Sequence, residues 1–276
     1  MEVRPCAKIN LGLNIVSKRP DGYHNLETVF VAVPLYDVLT VESLEQGAAH
    51  CELTLEGMPI EGNAENNLVV KAYHILAADY ALPPVKVCLR KVVPTQAGMG
   101  GGSADGAFMI RLLNHQFGLG LSQNQMEAYA ARLGADCPFF ITAQAAYATG
   151  IGEQLQPIHT LSQKLSGKYL YIVKPAVAIS TKEAFSMVVP AQPEVCCKDA
   201  VEEPMKEWHK LLHNDFERSA FTLYPSLQQI KNSLYDCGAV YAQMSGSGSA
   251  LYGLFEEEPV IPQAAFANCF TFKCKL

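Results

Sequence analysis

Between Pro94 and Phe108 the chain reads PTQAGMGGGSADGAF, with glycine at 98, 100, 101 and 102 and Ser103 directly after the last of them. Successive residues without a Cβ let the backbone turn several N–H groups inward as a concave anion nest. Where such a loop leads from a strand into a helix, the helix N-terminus adds unpaired donors and the positive end of its dipole. The chemistry that follows is the cradling of phosphate. The same composition also serves as a slack Gly/Ser connector. The setting of Gly98–Ser103 between two periodic elements, with neither charge nor proline inside it, favours the cradle. Met244–Leu251, MSGSGSAL, is a second small-residue loop.

The common phosphate and nucleophile motifs do not fit. A P-loop needs lysine after the final glycine, where this chain has Ser103. A dinucleotide fingerprint needs glycine where Ser103 stands, three residues after Gly100, and the loop lies far into the chain. A GxSxG elbow fails because Ala104 is followed by Asp105.

The elements around the loop are legible from periodicity. Ala7, Ile9, Leu11, Leu13 and Ile15 alternate with Lys8, Asn10, Gly12 and Asn14, a strand with one core face and one face polar enough to line a cleft. Asp21-Gly22 signals a turn into a second strand over Leu26–Val33, with Tyr23 and His24 just past the tip. Strand patterns recur at Val38–Ser43, Cys51–Leu55 and Val85–Val93. Helices are expected over Asn66–Tyr80, closed by Pro83-Pro84, then Ala107–Phe117 and Ser122–Leu133. The second half predicts a strand at Leu170–Val173 and helices over Thr181–Val188, Ala200–Leu212 and Leu227–Asp236. Strands at Val240–Met244 and Ala250–Phe255, a helix near Ile261–Asn268 and a strand at Phe270–Lys273 complete it. This mixed order without regular βαβ repetition is that of an α+β protein, with a boundary near Gly152–Gln156.

Composition narrows the class. A chain of 276 residues with 49% hydrophobic and 17% charged residues is an ordinary globular protein of one large or two modest domains. There is no apolar run long enough for a membrane helix, and the N-terminus MEVRPCAKIN lacks a signal core or Arg-rich transit character. We therefore expect a cytoplasmic protein, monomeric or weakly dimeric, with no membrane partner. Nine scattered cysteines without CxxC spacing read as reduced thiols, and a dedicated zinc site is not expected. A net charge of -6 without basic runs gives no support for a nucleic-acid partner.

The loop AGMGGGSAD resembles the phosphate-binding motif of the GHMP kinases. Further segments narrow the resemblance to the branch acting on 4-diphosphocytidyl-2-C-methyl-D-erythritol: Ala7-Lys8-Ile9-Asn10-Leu11 with Arg19-Pro20-Asp21-Gly22-Tyr23-His24-Asn25-Leu26, and Leu133-Gly134-Ala135-Asp136-Cys137-Pro138-Phe139-Phe140. Ser245–Ala250 stands where that family has its C-terminal glycine motif. Order and spacing agree across essentially the whole chain. The resemblance implies a two-domain α+β GHMP kinase fold: an N-terminal mixed-sheet ATP-binding domain over residues 1–154, a ferredoxin-like C-terminal domain over 155–276, and an active site in the cleft between them. The chain departs from the usual pattern at Met99 for leucine, Ala104 for a second serine and Gly106 for alanine. Without a hydroxyl at 104, Ser103 is the better candidate for a magnesium contact.

The implied reaction is transfer of the ATP γ-phosphoryl group, with Mg2+, to the 2-hydroxyl of the methylerythritol unit. A tertiary alcohol is a poor nucleophile, so a carboxylate to take its proton, a nearby cation and preorganised donors around the phosphates are the parts required. By resemblance Asp136 is the base and Lys8 the cation. An Asp before Cys137-Pro138 also suits a helix N-cap, and the two roles are compatible. ATP is implied to lie on Pro94, Thr95, Gln96, Ala97, Gly98, Met99, Gly100, Gly101, Gly102, Ser103 and Ala104, with its adenine at Asn67 and Leu68; Asn67 equally suits a helix cap. The substrate site is implied at Asn10, Tyr23, His24, Thr181 and Phe185, the rings stacking on cytosine and the histidine meeting its edge. Phe185 also suits a helix core position. The alternatives are another GHMP kinase, of homoserine or mevalonate type, and a non-catalytic nucleotide- or RNA-binding protein. DGYH at 21–24 speaks against the first, and the acidic balance with both Lys8 and Asp136 present speaks against the second.

Overall fold

The computed structural model describes residues 1–44, 50–60, 62–262 and 264–276, with the side chains of Thr181 and Lys182 outside that description. In chain order the strands are β1 (Glu2–Val3), β2 (Cys6–Lys18), β3 (His24–Tyr36), β4 (Val38–Ser43), β5 (Cys51–Gly57), β6 (Val85–Lys91), β7 (Ala146–Thr149), β8 (Gln154–Pro157), β9 (Tyr169–Lys174), β10 (Tyr241–Met244), β11 (Leu251–Phe255) and β12 (Phe270–Lys275). The helices are α1 (Leu68–Ala77), α2 (Gly101–Gln116), α3 (Gln123–Ala131), α4 (Phe139–Thr142), α5 (His159–Leu165), α6 (Thr181–Phe185), α7 (Cys197–Ala200), α8 (Trp208–Leu211), α9 (Phe216–Leu223) and α10 (Pro225–Asp236). They form two compact units: Met1–Ala7, Leu35–Thr95 and Gly100–Ala143 make the first, and Lys8–Pro34, Gln96–Met99 and Gln144–Leu276 the second.

The first unit is a sheet of order β1-β4-β6-β5, with β5 parallel to β6 and the other pairs antiparallel, packed against α1 and α2, on which α3 lies. Leu39, Val41, Val87 and Leu89 of the sheet and Val69, Leu76, Ile110 and Leu113 of the helices are buried and close its core. Local chemistry starts the helices as the sequence predicts. Asn67 caps α1 by accepting from the Val69 N–H at 2.9 Å. Ser122 and Gln125 form a reciprocal capping box on α3.

The second unit holds two further sheets, of order β2-β3-β7-β8 and β10-β11-β9-β12. The latter is antiparallel throughout. Its core is built from Val173, Leu251 and Met244 with Phe216, Ala220, Leu227 and Leu234 of α9 and α10. Strand β2 is buried on both faces from Cys6 to Ile15, so its polar residues Lys8, Asn10 and Asn14 are enclosed rather than solvated.

Several boundaries differ from the periodicity. α2 begins at Gly101 and not at Ala107: glycine is a poor helix former, and packing overrides that preference here. The helix expected over Ala200–Leu212 is broken after α7, because Pro204 cannot supply an N–H to a continuing helix, and resumes at α8. Residues 264–268 form turns rather than a helix, with Asn268 at φ 65°, while Gln263 lies outside the described residues. Strands β7 and β8 and helices α5 and α9 are additional to the expectation.

Candidate active site

In the second unit Lys8 and Asn10 of β2 belong to one connected network. Lys8, 3% exposed, donates from Nζ to Asn10 Oδ1 at 2.7 Å and stands 5.0 Å from the centre of the Phe30 ring. An ammonium can only donate, so this contact fixes the Asn10 amide with its oxygen towards Lys8. Asn10 Nδ2 then donates to Thr28 Oγ1 at 3.0 Å, and Thr28 Oγ1 donates to the Gly12 carbonyl at 2.5 Å. Tyr252 OH holds the Asn10 carbonyl at 2.6 Å. Every polar atom in this chain of bonds has a direction, which locks the position of the Lys8 ammonium.

The same network reaches the incoming half of the glycine loop. Lys8 N–H donates to Met99 O at 2.9 Å, and Ser245 Oγ donates to Gly98 O at 2.9 Å. Backbone bonds from Ser249 to Gln96 O and from Ala250 to Ala97 O lace the loop to the segment between β10 and β11. Gly98 adopts φ +70°, and a Cβ there would lie 1.9 Å from the Ser245 carbonyl oxygen. Only glycine satisfies both constraints. Ala97 and Met99 point into the core at 2% and 1% exposure, so they contribute backbone alone, and methionine for leucine at 99 is a like-for-like apolar exchange. Thr95 and Gln96 are exposed, with Pro94 half-buried. A cavity of about 460 Å³ opens here, lined by Gln96, Gly98, Ile179, Ser180, Ser247 and Gly248.

In the first unit the outgoing half of the loop becomes the start of α2. Gly100, at φ 68°, flanks the helix without a side-chain cap, so the first N–H groups keep their donors for another acceptor. A Cβ on Gly102 would meet nothing within 4 Å, whereas one on Gly101 would come within 3.0 Å of Val93. One glycine is required by packing behind the helix, and the other faces open space. Ala104 is fully buried.

Two further predicted segments converge on this helix end. Gly106 lets α2 approach α1 closely, since a Cβ there would lie 3.0 Å from Leu68 Cβ. The Ser103 hydroxyl lies beside the Cys137 thiol, and burial pushes that thiol up to about 12. The half-buried Asp136 thus sits in a turn next to the first turn of α2. The flanking residue of α4 is Pro138, without a side-chain cap, so Asp136 is not the N-cap of that helix.

The hairpin tip is organised by Asp21, which accepts from the Tyr23 N–H and from the Arg19 guanidinium, each at 3.0 Å. Tyr23 stands 62% exposed. His24 stacks on Phe185 with ring centres 4.7 Å apart and planes at 22°, and Phe185 meets Phe216 edge-on at 4.8 Å. A base held between two rings needs them about 7 Å apart, twice an ordinary carbon contact, so His24 and Phe185 cover each other rather than frame a gap. Thr181 opens α6 behind a Ser180–Glu183 capping box, and its side chain lies outside the described residues.

Sequence reading takes Asp105 as a possible metal contact or as a dipole-matched charge at the helix start, and does not foresee the buried cluster it joins. Lys91 Nζ donates to Asp37 Oδ2 and, at 2.6 Å, to Asp105 Oδ2, all three side chains being at most 3% exposed. Asp37 Oδ1 also accepts from the Val92 and Val93 N–H groups at 2.6 and 2.9 Å. Asp105 Oδ1 is buried without a hydrogen-bond partner, and burial pushes the Asp105 carboxyl up to about 8 despite the neighbouring ammonium. These residues are scattered in sequence, and only the antiparallel pairing that brings Val38 opposite Arg90 draws Asp37 towards Lys91.

The helix end fits an anionic phosphate chain. Among the described residues no group of three His, Cys, Asp or Glu side chains could hold a metal ion. Ser103, in the first turn of α2, offers a hydroxyl that could contact a cation carried by phosphate oxygens.

Comparison with known proteins agrees. The profile of the GHMP kinases N terminal domain matches residues 67–144, and that of the GHMP kinases C terminal matches residues 197–274. The chain is 50% identical over 273 residues to the 4-diphosphocytidyl-2-C-methyl-D-erythritol kinase of Bacteroides thetaiotaomicron, covering 99% of this chain and 98% of that one. It is 46% identical, at the same coverage, to the enzyme of that name from Parabacteroides distasonis. A crystal structure of 4-(cytidine 5'-diphospho)-2C-methyl-D-erythritol kinase superimposes with a TM-score of 0.82 at 28% identity, covering 99% of this chain and 98% of that one. The mevalonate kinase of Methanococcus jannaschii shares the fold, with a TM-score of 0.69 at 13% identity over 100% of this chain and 98% of its own. The chain belongs to the GHMP kinase family, and within it to the 4-diphosphocytidyl-2-C-methyl-D-erythritol kinases.

Proposed function

We propose that this chain transfers the γ-phosphoryl group of ATP to the 2-hydroxyl of 4-diphosphocytidyl-2-C-methyl-D-erythritol, a step in the methylerythritol phosphate route to isoprenoid precursors. The observation that carries it is the uncapped N-terminus of α2, opened by Gly100–Gly102, with the Asp136 turn beside its first turn where Ser103 and Cys137 lie close. The N–H groups over 100–104 receive the phosphates, where helix dipole and unpaired donors favour negative charge. Asp136 takes the hydroxyl proton as the substrate oxygen bonds to the γ-phosphorus and the bond to the β–γ bridging oxygen breaks, releasing ADP. Lys8, its ammonium held by Asn10, supplies the cation that orients the hydroxyl. Ser103 would help to hold a magnesium ion bound with ATP, which would supply charge neutralisation on the phosphates.

Tyr23, His24 and Phe185 form the cytidine end in this reading, with Asn10 and Thr181 completing the substrate site. Asn67 and Leu68 border the adenine; the Leu68 contact across Gly106 to α2 supports this. We read the family's two domains as residues 1–154 and 155–276, the matched spans 67–144 and 197–274 falling on either side of the division. A cytoplasmic monomer or weak dimer is the working state; no described helix is long and apolar enough to cross a membrane. ADP release with magnesium, compared across the cytidylyl alcohol, homoserine and mevalonate, tests the assignment. Activity confined to the first supports it, and equal or greater turnover of either other alcohol refutes it.

A further inference from the structure

Lys91 closes β6, Asp37 lies between β3 and β4, and Asp105 is in the second turn of α2, so three separate elements meet at one ammonium. The two acids act on opposite ends of the glycine loop. Asp37 holds the N–H groups of Val92 and Val93, the residues that lead into it, while Asp105 belongs to the helix that leads out. The loop rests against the same centre: a Cβ on Gly101 would lie 3.3 Å from Lys91 Nζ.

Stability alone does not account for such a cluster. Ions removed from water lose hydration that their mutual attraction only partly restores, and apolar side chains of similar volume often serve a core as well or better. Here the cost is visible, since Asp105 Oδ1 is buried without a partner. What apolar residues cannot provide is direction. Bonds from one ammonium to the carboxyl groups of two acids fix the spacing between the entering strand and the leaving helix.

We propose that Asp37, Lys91 and Asp105 are positioning residues for the nucleotide phosphates, a buried clamp that joins both ends of the glycine loop and holds its N–H donors in place before ATP binds. The proposal rests on the reading that this loop receives the phosphates. Its energetic sense is preorganisation: donors already fixed lose little freedom when the ligand arrives. The clamp touches neither the alcohol nor the transferred group, so its effect falls on nucleotide binding first.

The test is Asp105→Leu compared with Asp105→Asn. Leucine removes the bond to Lys91 and the unpartnered oxygen together, and leaves Lys91 neutralised by Asp37, so the fold is expected to melt no lower than the parent. The ATP KM is expected to rise about tenfold, with the KM of the cytidylyl alcohol within about twofold of the parent. Asparagine keeps an oxygen to accept from Lys91 and is expected to restore the ATP KM to within about threefold. Hydrogen exchange of the amides over 98–105 should quicken in Asp105→Leu and not elsewhere. If Asp105→Leu does not fold, that exchange pattern in Asp105→Asn decides, since its loop amides should remain as protected as the parent's. A folded Asp105→Leu with an unchanged ATP KM and unchanged loop exchange overturns the clamp. Calorimetric titration of the parent with ADP separates the two levels: no binding, or binding that leaves exchange over 98–105 unaltered, overturns the phosphate reading itself.

Discussion

Replacing single glycines of the loop by alanine should separate fold from function. At Gly98 the backbone has φ +70°, where an L-residue costs about 1–2 kcal/mol. The added methyl would also stand 1.9 Å from the Ser245 carbonyl oxygen and 2.8 Å from its carbon, both backbone atoms held in place by the segment's own hydrogen bonds. Relieving such overpacking costs about 1–3 kcal/mol. Gly98→Ala should therefore destabilise by roughly 2–5 kcal/mol, a large part of the 5–15 kcal/mol that holds a typical domain. At about 2–4 °C per kcal/mol for a chain of this order of size, the melting temperature should fall by roughly 4–20 °C. Gly102 supplies the opposite case: it is helical, and its Cβ would meet nothing within 4 Å. Alanine there lowers the entropy of the unfolded chain and favours the helix, a gain of about 0.4–1 kcal/mol. Yet its methyl would occupy the open space before the first N–H groups of α2, so the ATP KM should rise while the melting temperature holds or climbs. Thermal melts and ATP titrations of the two purified variants read both quantities. A Gly98→Ala protein melting at or above the parent would refute the packing derivation. A Gly102→Ala protein with parental ATP KM would refute the phosphate site.

Asp136→Asn should lower kcat by about 10²- to 10⁴-fold, the usual worth of a positioned general base; near-normal turnover by the folded variant would remove the base assignment. Tyr23→Ala and His24→Ala should raise the KM of the cytidylyl alcohol far more than that of ATP, and at 62% exposure the tyrosine should be lost with little effect on stability; equal effects on both substrates would dissociate the hairpin tip from the cytidine. The Asp105 carboxyl is raised from 3.8 to about 8 in the folded chain, with Lys91 and Asp37 the charged groups facing it. Such a group contributes its stability in full below the unfolded value and loses it as pH rises through the folded one. The parent's melting temperature should thus decline from about pH 4 towards pH 9 more steeply than that of Asp105→Leu, and parallel curves would show that Asp105 titrates elsewhere.

How far each part was readable depended on how local its cause was. Strand β2 follows from alternation alone, α1 from a capping asparagine, and α3 from Ser122 with Gln125 three residues later, because each signal lies within a turn or two of what it controls. The start of α2 was not readable in this way. Its first residues are glycines, whose intrinsic preference is against helix, and what holds Gly101 there is its contact with Val93 and Lys91 on another element. The break between α7 and α8 has a local cause, Pro204, which outweighs the helical periodicity around it.

For the site, the chain itself determined the presence of a phosphate-type loop, an amide and an ammonium two residues apart on one face of a strand, and a ring and an imidazole at a hairpin tip. Hydrogen bonding between Lys8 and Asn10 follows almost directly, because alternate residues of a strand share a face. Tertiary structure alone decided which carbonyl Gly98 must approach, that Ser103 lies beside Cys137, that His24 and Phe185 cover one another, and that Asp37, Lys91 and Asp105 meet. These contacts join residues far apart in the chain, and no periodicity or spacing encodes them. They depend on which strands pair and how closely helices approach, quantities fixed by the burial of many side chains at once rather than by any short stretch of sequence.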